Sequence, residues 1–288
     1  MAHIPVLKFG GTSMQGKNRF GPDEDRLLQD LRRMSEVNEI YRTLAQRRND
    51  ARARRLSQVA REFLIPLTEQ GHVPVVIVSA FDWATDKLDH LAAAISSAPP
   101  KREYARLLMS GELRANSALA MSLEEKGCRA RSLTGREAGI VTSPTLVDAA
   151  IERVDHQHVA ELIQAGIVPV IAGFQGYYRD TSSGRDEVSI LGRGGSNLTA
   201  VALADALGEE ACTMFTDVDG IYDCDPNIHG EDACKIGEIS AEDLLALEED
   251  CPQVIQREAL QYACERGVNI WIRSAFEPES EGSLIICR

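Results

Sequence analysis

The chain has 288 residues, 44% of them hydrophobic and 26% charged, with a formal net charge of −13. This length is enough for one large α/β domain or two small ones. The negative charge argues against a general nucleic-acid binder, because counterion release at phosphates needs a basic face. The sequence contains no apolar run long enough to span a membrane and no secretory signal, so we expect a cytoplasmic protein.

Short β-rich segments alternate with longer helical ones along the chain. The predicted strands are Ile4–Phe9, Val73–Ser79, Ile167–Gly173, Ala211–Thr216 and Val268–Ile272. The predicted helices between them include Lys101–Lys126, Leu146–Ala165 and Ala200–Leu207. Runs such as VPVVIVS are apolar on both faces, as expected of strands that helices cover on both sides. The pattern therefore predicts an α/β fold with a central, mainly parallel sheet.

One long charged segment, Asp23–Gln70, separates the first two predicted strands. Its apolar residues recur at helical spacing, which predicts two helices, arranged as a hairpin, inserted between the strands. The arginines at 47–55 could attract an anion or a partner. A solvated helix face is the simpler interpretation of the same charges.

Two glycine-rich motifs are typical of phosphate-binding loops. The first, KFGGTS at 8–13, follows a predicted strand directly, so that backbone N–H groups and a lysine ammonium can reach phosphate oxygens. The second, LGRGGSN at 191–197, precedes a predicted helix at Leu198–Leu207 and would turn the positive end of that helix toward an anion. A plain turn and a glycine-rich hairpin are the alternatives for each motif taken alone.

A third motif, TDVDGIY at 216–222, follows the predicted strand Ala211–Thr216. Carboxylates at the carboxyl end of a parallel strand lie where open α/β sheets bind ligands. The spacing of a calcium loop is missing, including its glutamate at the twelfth position.

These motifs occur in the order seen in aspartokinases, and the chain resembles the catalytic domain of that family. The matching stretches are VLKFGGTS, SGE at Ser110–Glu112, GREAGI at Gly135–Ile140, GFQG at Gly173–Gly176, LGRGGSN, TDVDGIY and the closing VIQREALQYACERGVNIWIRSAFEPESEGSLI. The resemblance implies one amino-acid-kinase domain over residues 1–288, with a three-layer αβα fold and a helical insertion at about 20–60.

The resemblance also implies roles for individual residues. The implied catalytic residues are Lys8, Lys235 and Asn197. The implied nucleotide contacts are Gly10, Gly11, Thr12, Ser13, Gly194, Gly195, Thr216, Asp217 and Tyr222. The implied contacts with the acceptor are Ser79, Thr85, Glu112, which would receive its ammonium group, and Arg193, which would hold its α-carboxylate. The implied cofactors are ATP and Mg²⁺, and no metal site made by the protein alone is predicted.

The chemistry of a carboxylate acceptor agrees with this set of residues. A side-chain carboxylate has a reference pKa of about 4 and is already ionised near neutral pH, so no general base is needed. The obstacle is to bring one anion onto another and to stabilise the charge on the transferred phosphoryl group. Lysines, backbone N–H groups and Mg²⁺ do this by positioning and electrostatics.

The sequence departs from the family pattern at three places. Asn197 stands where the family usually has Asp, which keeps the size of the side chain and removes its charge. Asn227 stands where an arginine usually follows Asp-Pro. The sequence ends at Arg288 without the paired ACT domains, so we expect a homo-oligomer built through other contacts and no inhibition by lysine or threonine through an ACT site.

The leading hypothesis from the sequence is ATP-dependent phosphorylation of the side-chain carboxylate of L-aspartate. One alternative is a kinase for a different or modified amino-acid carboxylate, which Asn197 motivates. Another is a nucleotide-binding protein without catalysis. The fold alone does not choose between primary and secondary metabolism.

Overall fold

A large central sheet organises the computed structural model, which describes residues 3–10, 13–14, 37–81, 83–247 and 254–287. Its strands are β1 (Val6–Phe9), β2 (Val75–Val78), β3 (Ala130–Leu133), β6 (Val168–Ala172), β9 (Ala211–Thr216), β12 (Glu238–Ser240), β13 (Asn269–Ser274) and β14 (Ser283–Ile286). Their order is β12-β14-β13-β9-β1-β2-β6-β3. Every neighbouring pair is parallel except β13 with β14.

Two smaller sheets lie beside it. Their strands are β4 (Ile140–Thr142), β5 (Ile151–Val154), β7 (Gln175–Asp180), β8 (Arg185–Ile190), β10 (Ile221–Tyr222) and β11 (Lys235–Ile236). The first four form a sheet in the order β5-β4-β7-β8, and the last two pair with each other.

Helices cover both faces of the central sheet. They are α1 (Val37–Val59), α2 (Ile65–Glu69), α3 (Ala84–Ile95), α4 (Lys101–Glu124), α5 (Gln157–Gln164), α6 (Gly195–Leu207), α7 (Pro226–His229), α8 (Ala241–Ala246) and α9 (Arg257–Arg266). Within β2, Val75 and Ile77 face a core shared with α5, α6 and α9, whereas Val76 and Val78 face a core shared with α1 and α4. The predicted three-layer αβα fold with a mainly parallel sheet is confirmed.

The five predicted strands are present, each within a few residues of its expected bounds. The predicted helix at Leu146–Ala165 is wrong in its first half, because that part forms β5, which pairs with β4, and only α5 is helical. A left-handed turn at Asp148, where φ is 53°, precedes β5. Antiparallel pairing with the preceding strand β4 here overrides the local helical preference.

The charged segment between β1 and β2 forms one continuous helical run over its described part. Helix α1 continues through a π-helical turn at Ala60–Leu64 into α2, without a reversal of direction. A hairpin turn would have to fall in residues 23–36, which lie outside the described ranges. The single-domain organisation stays a prediction. No helix in the part of the chain that the structure describes is long and apolar enough to cross a membrane.

A close approach of two backbone segments in the smaller sheet gives a testable prediction. Gly139 has a φ of 76°, and a Cβ there would lie 1.9 Å from the carbonyl oxygen of Asp155. Gly166 has a φ of 67°, and a Cβ there would meet no atom of the described residues within 4 Å. Both alanine variants carry the left-handed cost of about 1–2 kcal/mol, but only Gly139→Ala also forces the segments apart.

We expect urea unfolding to show that Gly139→Ala loses about 2 kcal/mol more stability than the control, Gly166→Ala. Equal losses in the two variants would contradict the close packing of Gly139 against Asp155.

Candidate active site

Four neighbouring parallel strands end at one edge of the central sheet. Thr216 is the last residue of β9, Gly10 follows β1, Ser79 comes directly after β2 and Gly173 directly after β6. The strands lie side by side in the order β9-β1-β2-β6. The carboxyl edge of such a sheet is where α/β proteins bind ligands, and it brings the predicted site motifs together.

The first glycine-rich loop is fastened to the end of β9. The backbone N–H of Gly10 and the hydroxyl of Ser13 both donate hydrogen bonds to the carbonyl of Phe215, at 3.3 and 3.0 Å. Ser13 is fully buried, so its hydroxyl serves the loop itself. Gly11 and Thr12 lie outside the described residues, and all predicted nucleotide contacts of this loop stay predictions.

Lys8 lies beside this loop on the face of the sheet that α6 covers. It pairs in register with Ile77 and Met214, which belong to the core on that face. A Cβ at Gly10 would lie 3.3 Å from the Lys8 ammonium nitrogen. Burial lowers the pKa of Lys8 to about 8, although the charge of Asp217 acts in the opposite direction. The lysine is therefore mainly charged near neutral pH.

The second glycine-rich loop packs against the end of β6 and leads into α6. A Cβ at Gly173 would lie 2.8 Å from the side chain of Ser196, so the glycine allows the two segments to touch. Gly194 has a φ of 78° and its carbonyl accepts a hydrogen bond from the N–H of Asn197. Helix α6 begins at Gly195, three residues before the predicted start at Leu198. Its positive end is at the same edge as Lys8.

Asn197 is held by a glutamine that the sequence reasoning missed. Its amide nitrogen donates to Oε1 of Gln256 at 2.8 Å. The side-chain oxygen of Asn197, Oδ1, is buried without a hydrogen-bond partner among the described residues. Gln256 also packs on Gly194, where a Cβ would lie 2.7 Å from Oε1. A lone glutamine before α9 carries no chemical signal in the sequence.

Glu112 is buried in α4 and points to the loop after β2. Its Oε1 accepts a hydrogen bond from the N–H of Ala80 at 3.2 Å, whereas its Oε2 is buried without a partner in the described ranges. Burial raises the pKa of Glu112 to about 7, and backbone hydrogen bonds only partly offset this. Gly111 permits the contact, because a Cβ there would lie 2.9 Å from the Ala80 side chain.

The remaining residues predicted to contact the acceptor lie on exposed or half-buried positions. Ser79 is half-buried, and its N–H donates to the carbonyl of Phe9 at 3.2 Å. Thr85 is half-buried in the first turn of α3. Arg193 is exposed, and within the described residues no hydrogen bond or ion pair engages it. Its side chain thus remains available to a ligand.

A polar cluster extends from the end of β9 to β11. Tyr222 and Lys235 both donate to the carboxylate of Asp219, each at 3.0 Å, and Lys235 also donates to Ser280 at 3.0 Å. Burial alone would raise the pKa of Asp219, but the donors Lys235 and Tyr222 more than offset it and the pKa is lowered. Asp219 and Ser280 were not singled out from the sequence, although Asp219 is the second acid of the TDVDGIY motif.

The nucleotide contacts predicted for Thr216 and Asp217 stay predictions. The Thr216 hydroxyl accepts from the N–H of Val218 at 3.1 Å and lies 3.4 Å from the Asp217 carboxylate. Asn227 lies in α7, and its side chain falls outside the described part of the chain. Where the structure describes the chain, no three His, Cys, Asp or Glu side chains gather as a metal site.

The fold and this edge together define an α/β protein in which two glycine-rich loops and a buried carboxylate lie at the carboxyl edge of a mainly parallel sheet. A sequence profile described as the Amino acid kinase family matches residues 4–282. The chain belongs to the amino acid kinase family.

Curated relatives of the chain are aspartokinases. The chain is 41% identical to an aspartokinase of Helicobacter pylori over 232 residues, which are 81% of this chain and 55% of that protein. It is 37% identical to an aspartokinase of Mycobacterium tuberculosis over 236 residues, 82% of this chain and 54% of the relative. The chain thus spans about half the length of the curated relatives it matches.

Solved structures of related proteins have the same fold. The aspartate kinase from Synechocystis superposes with a TM-score of 0.70 at 29% identity, covering 98% of this chain and 40% of that one. Aspartokinase III of E. coli, solved in complex with aspartate and ADP, gives a TM-score of 0.70 at 20% identity and covers 99% and 64%. At this lower identity the likeness concerns the fold alone.

The raised pKa of Glu112 predicts how stability depends on pH. Between pH 4.5 and about 7 the unfolded carboxyl has lost its proton while the folded one keeps it. This group therefore lowers wild-type stability progressively as the pH rises through that window, and its effect is constant above it.

We expect Glu112→Gln, which has no such proton to lose, to gain stability relative to wild type from pH 4.5 to 7, by at most on the order of 3 kcal/mol. Urea unfolding at several pH values measures this, with Glu125→Gln as the control for an exposed glutamate at the end of the same helix. A difference between Glu112→Gln and wild type that does not change with pH would refute the burial of an unpaired carboxyl.

Proposed function

We propose that the chain transfers the γ-phosphoryl group of ATP to the side-chain carboxylate of L-aspartate, giving 4-phospho-L-aspartate and ADP. One observation carries the proposal: two glycine-rich loops, the half-buried Lys8 and the partly unpaired Glu112 lie at one edge of the sheet. The curated aspartokinases, at 37–42% identity, support the choice of acceptor.

The nucleotide phosphates would lie between the loop after β1 and the start of α6. Gly10 would bring its backbone close to them without a side chain, and the N-terminus of α6 would direct its positive dipole end to the same place. Lys8 adds a positive charge, and its attraction to a phosphate would be stronger than in bulk water because this half-buried group is poorly screened. These groups would stabilise the charge that spreads over the transferred phosphoryl group.

The acceptor would be recognised through groups that the protein leaves unpaired. Oε2 of Glu112 and Oδ1 of Asn197 are buried hydrogen-bond acceptors without a partner in the described residues, and each costs about 1–3 kcal/mol in that state. An ammonium group has three N–H donors and can satisfy acceptors of this kind. The exposed fork of Arg193 suits the α-carboxylate.

The reaction needs positioning more than proton transfer. The attacking carboxylate is ionised at neutral pH, so an oxygen lone pair forms the new bond to the γ-phosphorus while the bond to the bridging oxygen of ADP breaks. No proton has to leave the acceptor. Lys8 would hold the departing and transferred phosphates, while Glu112 and Arg193 would keep the acceptor in line.

Mg²⁺ fits this site as a partner of ATP. Mg²⁺ keeps several waters and binds through one or two carboxylates together with substrate phosphates, so it needs no cage of protein ligands. Asp217 directly follows β9 and is the carboxylate that would hold it, because both carboxylate oxygens of Asp219 already accept hydrogen bonds from Tyr222 and Lys235. When bound, the ion would neutralise charge on the β- and γ-phosphates.

The unpaired acceptors bear on the choice between aspartate and a modified acceptor. An acceptor without an amino group would leave both Glu112 and Asn197 unsatisfied in a buried site. An N-acylated acceptor brings a single N–H donor. Free L-aspartate therefore suits the site better than either, even with an amide at position 197.

The direct test is ADP release from Mg-ATP with L-aspartate, N-acetyl-aspartate, glutamate and other dicarboxylates, with hydroxylamine present to trap an acyl phosphate. We expect hydroxamate from L-aspartate. Hydroxamate that forms with N-acetyl-aspartate but not with L-aspartate would mean that the acceptor is a modified aspartate. Nucleotide binding without turnover on any acceptor would favour a binding protein and overturn the proposed activity.

Asn197→Asp refines this test. The carboxylate it introduces can accept a hydrogen bond from Gln256 only if the side-chain amide of Gln256 flips, so that its NH2 group faces position 197. The carboxylate also adds a negative charge beside the ammonium group of the acceptor. Because this charge attracts the ammonium group, we expect KM for L-aspartate to fall by about tenfold while KM for ATP changes little. Mass in solution would test the predicted homo-oligomer in the same preparation.

A further inference from the structure

Helix α1 carries a buried arginine that reaches the loop after β1, at the candidate active site, and the loop after β13. Arg55 is only 4% exposed, although its neighbours Ala53 and Arg54 are exposed. A buried guanidinium is costly unless all its donors are used, so its contacts indicate what it is for. The cluster of arginines at 47–55 is therefore not uniformly a solvated helix face.

The guanidinium of Arg55 bonds to two backbone carbonyls that are far apart in sequence. Its Nε donates to the carbonyl of Ser13 at 2.7 Å, and one terminal nitrogen donates to the carbonyl of Ala275. The other terminal nitrogen donates to Oε1 of Gln58 at 2.8 Å, and the guanidinium carbon Cζ lies 4.3 Å from the ring centroid of Phe276. The fork thus spans the loop after β1 and the loop after β13.

Both carbonyls belong to backbone that shapes the nucleotide side of the edge. The peptide unit between Ser13 and Met14 has its carbonyl held by Arg55, while its N–H donates to the carbonyl of Gly10 at 3.0 Å. Hydrogen bonds at both ends of this peptide plane fix the backbone at Ser13 and Met14 relative to Gly10. On the other side, the N–H of Ala275 donates to the carbonyl of Thr216 at 2.8 Å.

We propose that Arg55 is a positioning residue for the phosphate-binding loop, which it joins to the loop after β13. This inference rests on the proposed nucleotide site at Gly10. Charge-assisted hydrogen bonds are about twice as strong as neutral ones, and the two-pronged geometry of arginine holds two carbonyls at once. The lysine ammonium is a point charge and cannot span both carbonyls. Through Arg55, helix α1 would thus support the site.

Calorimetric binding of Mg-ADP tests the inference, because it does not depend on which acceptor the enzyme uses. The variants are Arg55→Lys and Arg55→Ala, with Arg54→Lys and Arg54→Ala as controls at the exposed neighbouring position. We expect the Arg55 variants to bind Mg-ADP at least about tenfold more weakly and the Arg54 variants to bind as wild type does. In turnover, KM for ATP should rise while KM for the acceptor changes less than about twofold.

Chemical rescue separates positioning from a general loss of structure. Methylguanidinium should restore Mg-ADP binding to Arg55→Ala, whereas methylammonium at the same ionic strength should not, because only the former has a fork of N–H donors. Thermal unfolding of each variant shows that binding is measured on folded protein. Arg55→Lys and Arg55→Ala could unfold at lower temperatures than wild type and still, while folded, bind Mg-ADP with wild-type affinity. That result would overturn the positioning role and leave Arg55 a structural residue only.

The outcomes also distinguish this inference from the proposed function. If wild type binds Mg-ADP and the Arg55 variants bind it equally well, only the role of Arg55 fails. If wild type itself does not bind Mg-ADP, the nucleotide site fails and the positioning role fails with it.

Discussion

The register of β1 between its two neighbours is the constraint on which the site depends. Lys8 pairs with Ile77 on one side and with Met214 on the other, so its side chain emerges on the face that α6 covers. Side chains alternate along a strand, and a shift of one residue would place Lys8 in the core under α1 and α4. The same register brings Gly10 to the end of β9, where the carbonyl of Phe215 receives its N–H.

Burial acts in opposite directions on the two ionisable groups of the site. It lowers the pKa of Lys8 to about 8 and raises that of Glu112 to about 7, so both groups are charged less readily than in water. A phosphate next to Lys8 and an ammonium next to Glu112 would each favour the charged form. Ligand binding would thus recover part of what the folded protein loses by burying these groups. Sites arranged in this way are typical of enzymes, in which function is maintained at a cost in stability.

The sequence predicts the parts of the site that depend on local chain order. Glycine pairs after apolar strands indicate where Gly10 and Gly194 lie, because turns and strand ends are local features. The roles of Gln256 and Arg55 could not be predicted in this way. Arg55 bonds to Ser13, 42 residues before it, and to Ala275, 220 residues after it. The strand β5 was missed for a different reason: its partner β4 is close in sequence, but strand pairing, and not helical periodicity, decides its conformation.

The central claim is that Lys8 meets the phosphates of a bound nucleotide, and proton uptake measures this most directly. Near pH 8.5 the free lysine is mostly neutral, since its pKa is about 8, and a bound phosphate would restore its proton. Calorimetry of Mg-ADP binding in buffers of different ionisation enthalpy should show uptake of about half a proton or more. Lys8→Arg, which stays charged at this pH, should bind without uptake. Binding without uptake in wild type, or equal uptake in Lys8→Arg, would contradict the account.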